Sequence, residues 1–159
     1  WLLQLGKIAC KKELKQFKWF VPSGDLINLQ KYKSHSVRIN TSHLGKVTIP
    51  TGRTKELDLP GMKAALSPSF IHSYDACLLK LAFNDWTEPL AVIHDCIRVL
   101  PSDVDKAHKQ IRKSFVELCS GNPLARLADD IGVTEEELPR LIQDNQDLEV
   151  VLNSPYLFN

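Results

Sequence analysis

The run Leu90-Ala91-Val92-Ile93-His94-Asp95-Cys96-Ile97-Arg98-Val99-Leu100 constrains this chain more than any other stretch. It is rich in β-branched residues, has too few polar positions for a surface helix, and is stopped by Pro101. Two short buried strands meeting near Asp95 and Cys96 satisfy that pattern. A carboxylate flanked by buried strands is costly unless it is paired, hydrogen-bonded or bound to metal. Asp95 then needs a partner. For an isolated His-Asp dipeptide a polar, solvated hairpin tip is the simpler account, so the surrounding sequence has to decide.

Helical signals lie on both sides of this run. Upstream, Ile71, Tyr74, Cys77, Leu78, Leu81 and Ala82 recur at helical intervals behind a Ser-Pro-Ser cluster, which predicts a largely buried helix over about 69–84. Downstream, Val104, Ala107, Ile111, Phe115 and Leu118 form one stripe, and Ser102 and Asp105 stand at capping-box spacing. After the Gly121-Asn122-Pro123 break come two short, more acidic helical patterns, although Pro139 conflicts with a capping box from Thr134 to Glu137. The apolar tail Ser154-Pro155-Tyr156-Leu157-Phe158-Asn159 is expected to dock against something.

The opening residues read as an amphipathic helix, with Leu2, Leu5, Ile8 and Ala9 on one stripe and Lys7, Lys11, Lys12 and Lys15 mostly off it. A hairpin is expected over the Phe17–Gln30 stretch, around a Pro-Ser-Gly-Asp turn. Short strands are expected at Ser36–Asn40 and Lys46–Pro50, and an exposed loop from Pro50 to Met62, where breakers and charges crowd together. There is no internal repeat.

At 159 residues and 43% hydrophobic, the chain is in the range of one domain and can bury a core. No apolar stretch approaches a membrane span, and the start has neither the charged region nor the cleavage site of a signal peptide. Trp1 is not an initiator and begins inside an uncapped helical pattern, so the sequence reads as a piece of a longer chain. Cys10, Cys77, Cys96 and Cys119 form no CxxC pair, which leaves reduced, mostly buried thiols and a reducing cytoplasm as the expectation. Charge is uneven. Residues 1–64 carry twelve basic side chains against four acidic ones, net +8, and residues 65–159 carry eight against fifteen, net −7. A basic surface facing a polyanion is one reading of that asymmetry, and a solvated helix with exposed lysines is the other.

Two blocks separate these readings. Pro68-Ser69-Phe70-Ile71-His72-Ser73-Tyr74-Asp75, followed by His94-Asp95-Cys96-Ile97-Arg98, resembles the C-terminal part of the phage-type single-subunit DNA-directed RNA polymerases, which have mitochondrial and plastid relatives. In that family a Pro-Asn-Phe-x-His-Ser-x-Asp helix precedes a His-Asp-Ser-Phe/Tyr-Gly hairpin. Here Ser69 stands where Asn is usual, and Cys96-Ile97-Arg98 replaces the Ser, the aromatic residue and the Gly. The resemblance runs along the whole chain, residues 1–159.

It implies an α+β fold: a polymerase palm-type β-hairpin and short antiparallel strands packed against helices, the C-terminal palm and fingers portion of a right-hand polymerase. It further implies template-dependent nucleotidyl transfer from NTPs to the RNA 3′ end on a DNA template, using a two-metal Mg²⁺ site. Asp95 matches a metal-binding Asp. The second carboxylate, and the Arg, Lys and Tyr that handle the triphosphate, would come from an upstream portion or a separate subunit. His72, His94 and Asp75 would lie near the nucleic acid, with a buried structural imidazole as the competing reading of each His. Lys7, Lys11, Lys12 and Lys15, with Lys31, Lys33 and Arg38, are candidate phosphate contacts. No membrane partner is expected, and the cytoplasm of an infected cell is favoured over an organelle. Two rivals stand beside this reading. An A-family DNA polymerase fits less well, since its hairpin normally has Glu after His-Asp. A non-catalytic remnant or split-enzyme subunit is supported by the Cys96-Ile97-Arg98 turn.

Overall fold

A computed structural model describes residues 1–94, 96–140 and 147–154. In chain order the elements are α1 (Leu2–Lys11), β1 (Phe17–Phe20), β2 (Leu26–Leu29), β3 (Tyr32–Thr41), β4 (Gly45–Leu57), α2 (Leu59–Phe83), β5 (Leu90–Ile93), β6 (Cys96–Val99), α3 (Val104–Cys119), α4 (Pro123–Ile131) and α5 (Val150–Asn153). The fold is α+β, as the resemblance implies. The strands form three separate antiparallel hairpins, β1-β2, β3-β4 and β5-β6.

The core gathers around α2. Its buried residues Met62, Leu66, Phe70, Cys77, Leu78 and Ala82 fall on more than one side of the helix, as expected of a helix with neighbours all round. Leu5 and Ala9 of α1 pack into the same core, and so do Phe17 and Trp19 of β1, which alternate with exposed Lys18 and Phe20. Each fully buried Leu, Met or Phe among these contributes about 1.5–3 kcal/mol. Gly6 lets α1 approach α2 closely: a Cβ at that position would stand 3.2 Å from Lys63 Cγ and 3.4 Å from Leu66 Cδ2.

Several expectations hold. The opening helix, the hairpin around Gly24, and the break before α4 are all present. Asn122 caps α4 from a left-handed conformation (φ 46°), and Gly132 (φ 77°) ends it.

Others are corrected. The central helix starts at Leu59, ten residues before the expected start, because Asp58 caps it and Pro60 sits in its first turn. The Asp58 Oδ1 accepts a hydrogen bond from the Gly61 N–H at 3.0 Å. Pro68 then lies inside the helix on an exposed side, where water can satisfy the carbonyl its missing N–H leaves free. The expected loop from Pro50 to Met62 is strand as far as Leu57. Pro50 is tolerated because it pairs with Ser36 next to a register shift in the ladder. Ser102 and Asp105 form no capping box, since a 3-10 turn over Pro101–Asp103 moves the helix start to Val104. The Thr134–Glu137 box does form its hydrogen bonds, yet it supports only a 3-10 turn over Glu135–Glu137 before Pro139. All four thiols are free, and Cys96 is exposed, so they are not uniformly sequestered. The apolar tail beyond Ser154 lies outside the described residues.

Candidate active site

The hairpin β5-β6 pairs Leu90 with Val99, Ala91 with Arg98, Val92 with Ile97 and Ile93 with Cys96. Two residues, His94 and Asp95, lie between the last paired positions. His94 has φ 55°, the positive value that tight two-residue hairpin connections favour, and its side chain is exposed. Asp95 itself lies outside the described residues.

The strands are not buried as expected. Leu90, Ile97 and Val99 rest half-buried against the core, while Cys96 and Arg98 are exposed. Val92 and Ile93 are 46% and 51% exposed. Strand β6 thus alternates exposed and half-buried residues, whereas β5 is exposed at every position after Leu90. Along the described part of this run the face bearing Ala91, Ile93, Cys96 and Arg98 is open to solvent.

His72 and Asp75 lie on α2 and are both exposed. The alternative of a core histidine bonded to a neighbouring carboxylate is thus not what the fold contains, and a buried imidazole is excluded at His94 as well. Ser73, between them in sequence, has a structural role. Its Oγ accepts from Trp19 Nε1 at 3.1 Å and donates to the Phe70 carbonyl at 2.7 Å. Phe70 stacks at a tilt between Trp19 and Tyr74, with ring centroids 6.4 and 4.7 Å apart. Burial there pushes the Tyr74 hydroxyl above its ordinary pKa, and Arg126 opposes the shift.

The lysines divide. Lys7, Lys11 and Lys15 are exposed, and their side chains have no partner among the described residues. Lys12 is engaged: its Nζ donates to Glu137 Oε2 at 2.7 Å and to the Gly132 carbonyl at 3.1 Å, which ties the end of α1 to the turn after α4. That ammonium, with the Thr134 N–H and hydroxyl, holds the Glu137 carboxyl below its usual range. Lys33 is similarly paired with Glu56 at 2.6 Å, while the side chains of Lys31 and Arg38, exposed on the same ribbon, have no partner among the described residues. Among the described residues both strands of that ribbon, β3 and β4, pair only with each other.

Sequence reasoning missed a second cationic surface. Lys109 and Lys113 are exposed one turn apart on α3, beside His108 and Arg112, in the acidic half of the chain. The four-residue spacing was visible, but the net charge of the half concealed it. Among the described residues no group of three or more His, Cys, Asp or Glu side chains could hold a metal ion.

Residues 1–154 match the model of the DNA-dependent RNA polymerase family. The chain is 31% identical over 160 residues to the DNA-directed RNA polymerase of Pseudomonas phage phiKMV, covering 97% of this chain and 19% of that protein. It is 28% identical over 165 residues to the mitochondrial DNA-directed RNA polymerase 1 of Nicotiana sylvestris, covering 100% of this chain and 16% of that protein. Against DNA-directed RNA polymerase 1A of Nicotiana tabacum it is 28% identical over 148 residues, 89% of this chain and 94% of that protein. The chain thus spans less than a fifth of the phage and mitochondrial relatives, and both phage and organelle proteins stand among its kin. With the match running from the first helix through α5, the chain belongs to the phage-type DNA-dependent RNA polymerase family.

Proposed function

We propose that this chain is the C-terminal palm and fingers portion of a DNA-directed RNA polymerase that joins NTPs to an RNA 3′ end on a DNA template. In this reading Asp95 supplies one carboxylate of a Mg²⁺ site, and the second carboxylate comes from polypeptide outside this chain. The observation that carries the reading is the β5-β6 hairpin: a two-residue connection bearing His94 and Asp95, one face on the core and the other open. An open face leaves room for a neighbouring strand with its own carboxylate. Magnesium prefers a few carboxylates and retained water, and two bound ions would activate the 3′ hydroxyl and neutralise the triphosphate.

The chain's own residues would position the rest. The half-buried Ile97 and Val99 hold strand β6 on the core. His72, exposed on α2, lies near the nucleic acid. Lys7, Lys11 and Lys15, with the unpaired cations of the β3-β4 ribbon, would contact phosphates.

The test is Asp95→Ala in a polymerase that carries this segment together with the upstream portion. RNA synthesis should be abolished while template binding stays within about twofold, since a metal ligand contributes to chemistry more than to DNA affinity. Near-normal synthesis would remove Asp95 from the metal site. A non-catalytic role is favoured by one observation, the bulk of Ile97 and Arg98 where the family pattern has an aromatic residue and Gly. Mg²⁺-dependent synthesis by the assembled protein would exclude it.

A further inference from the structure

The β3-β4 ribbon carries an aliphatic face that is open to solvent. Cross-strand pairing sets Val37 against Ile49 and Ile39 against Val47 on one face, and Arg38 against Thr48 and Asn40 against Lys46 on the other. Val37, Ile39 and Ile49 are 52%, 44% and 43% exposed, and Val47 is half-buried. Arg38, Asn40, Lys46 and Thr48 are exposed too, so the ribbon has one apolar and one polar, cationic side.

Alternate aliphatic residues on both strands are the pattern of a sheet with one face packed on a core. A two-stranded hairpin is marginally stable in water at best and needs such packing, and a contiguous apolar patch rimmed by polar groups marks a contact with another molecule. Charge narrows the occupant. Between Tyr32 and Leu57 the ribbon has five basic side chains and one acidic one, net +4, so a second copy would bring like charges together. Phosphates suit the Arg38 and Lys46 side, and they offer nothing to four aliphatic side chains. A polypeptide surface fits best, and the family supplies one: this chain matches only 19% of the length of its phage relative.

We propose that the face formed by Val37, Ile39, Val47 and Ile49 docks an apolar, neutral or acidic surface of the same polymerase, contributed by polypeptide outside residues 1–159. The inference rests on the reading of this chain as a portion of a longer polymerase, and not on the role of Asp95. The ribbon then has protein on its aliphatic side and keeps its cationic side accessible.

Ile39→Cys and Asn40→Cys, made separately in the complete polymerase and kept free of nucleic acid, report the two faces, with N-ethylmaleimide adducts quantified at each site by mass spectrometry. Alkylation at position 39 should be at least about tenfold slower than at position 40, because a docked side chain reacts only through local opening. Val37→Cys should be protected to the same extent, and the protection should not change on dilution. With p-benzoylphenylalanine in place of Ile49, irradiation should cross-link the ribbon to a peptide of the same polymerase outside residues 1–159. RNA synthesis by the unsubstituted polymerase is measured in parallel: a protein that shows this protection yet makes no RNA would count against the activity and leave the docking in place. Positions 37 and 39 as reactive as position 40 would overturn the inference. So would protection lost on dilution, which means a second copy, protection that appears only with added DNA, or cross-links confined to residues 1–159.

Discussion

The indole N–H of Trp19 donates to the Ser73 hydroxyl at 3.1 Å and so ties strand β1 to the middle of α2. Trp19 is 1% exposed, so without Ser73 its N–H would be left buried and unpaired. The bond also fixes the rotation of α2 about its own axis. Ser73 faces the core and its neighbours His72 and Asp75 face outward. Ser73→Ala should therefore destabilise the chain by about 1–3 kcal/mol, the cost of an orphaned buried donor. Trp19→Phe combined with Ser73→Ala should cost less than the sum of the two single changes. Urea unfolding of the four proteins measures the coupling, and strict additivity would show that the contact contributes nothing.

Two adjacent lysines should behave differently. Lys11 is free among the described residues, whereas Lys12 bridges Glu137 and the Gly132 carbonyl. In fluorescence titrations against a DNA duplex, Lys11→Gln should lower affinity and reduce the slope of log K against log salt by about 0.9 if it contacts one phosphate. Lys12→Gln should leave that slope nearly unchanged and lower the urea midpoint. The reverse pattern would place Lys12 on the nucleic acid.

The same bridge has a pH signature. The folded state holds the Glu137 carboxyl below its reference value of 4.5, chiefly through the hydrogen bond from Lys12. A depressed carboxylate contributes stability above its unfolded pKa and loses that contribution as pH falls through the folded value. Wild type should therefore lose stability faster than Glu137→Gln as pH falls below about 4.5. Chemical denaturation at pH 7 and at acid pH compares the two, and parallel curves would show that the bridge does not form.

The α2 start depends on a contact between Asp58 and Gly61. A Cβ at Gly61 would lie 2.1 Å from Asp58 Oδ2, so Gly61→Ala must swing the carboxylate off its cap. The loss should be about 1 kcal/mol, close to that of Asp58→Ala, and the double change should add little to either. Thermal melts read this directly. A Gly61→Ala variant as stable as wild type would mean that the cap is dispensable.

Local chemistry alone determined a good part of this protein. The stripe of Leu5 and Ala9, the turn around Gly24, the Gly121-Asn122-Pro123 break and the two strands that flank His94 and Asp95 follow from short-range periodicity and backbone preference, and all are present. The His72 and Asp95 blocks, read together, pointed to the family that the whole-chain match supports. Tertiary structure decided the rest. Pro68 looks like a helix boundary in isolation, yet the apolar residues on both sides of it are held in one core, and that packing outweighs one lost hydrogen bond. The β5-β6 run reads as buried because apolar residues look alike whether or not anything covers them, and only the packing of α2 and α3 shows which face is open. Lys11 and Lys12 are indistinguishable as letters. A carboxylate 125 positions away makes one of them a structural tie, since such a partner is brought near only when the chain closes on itself.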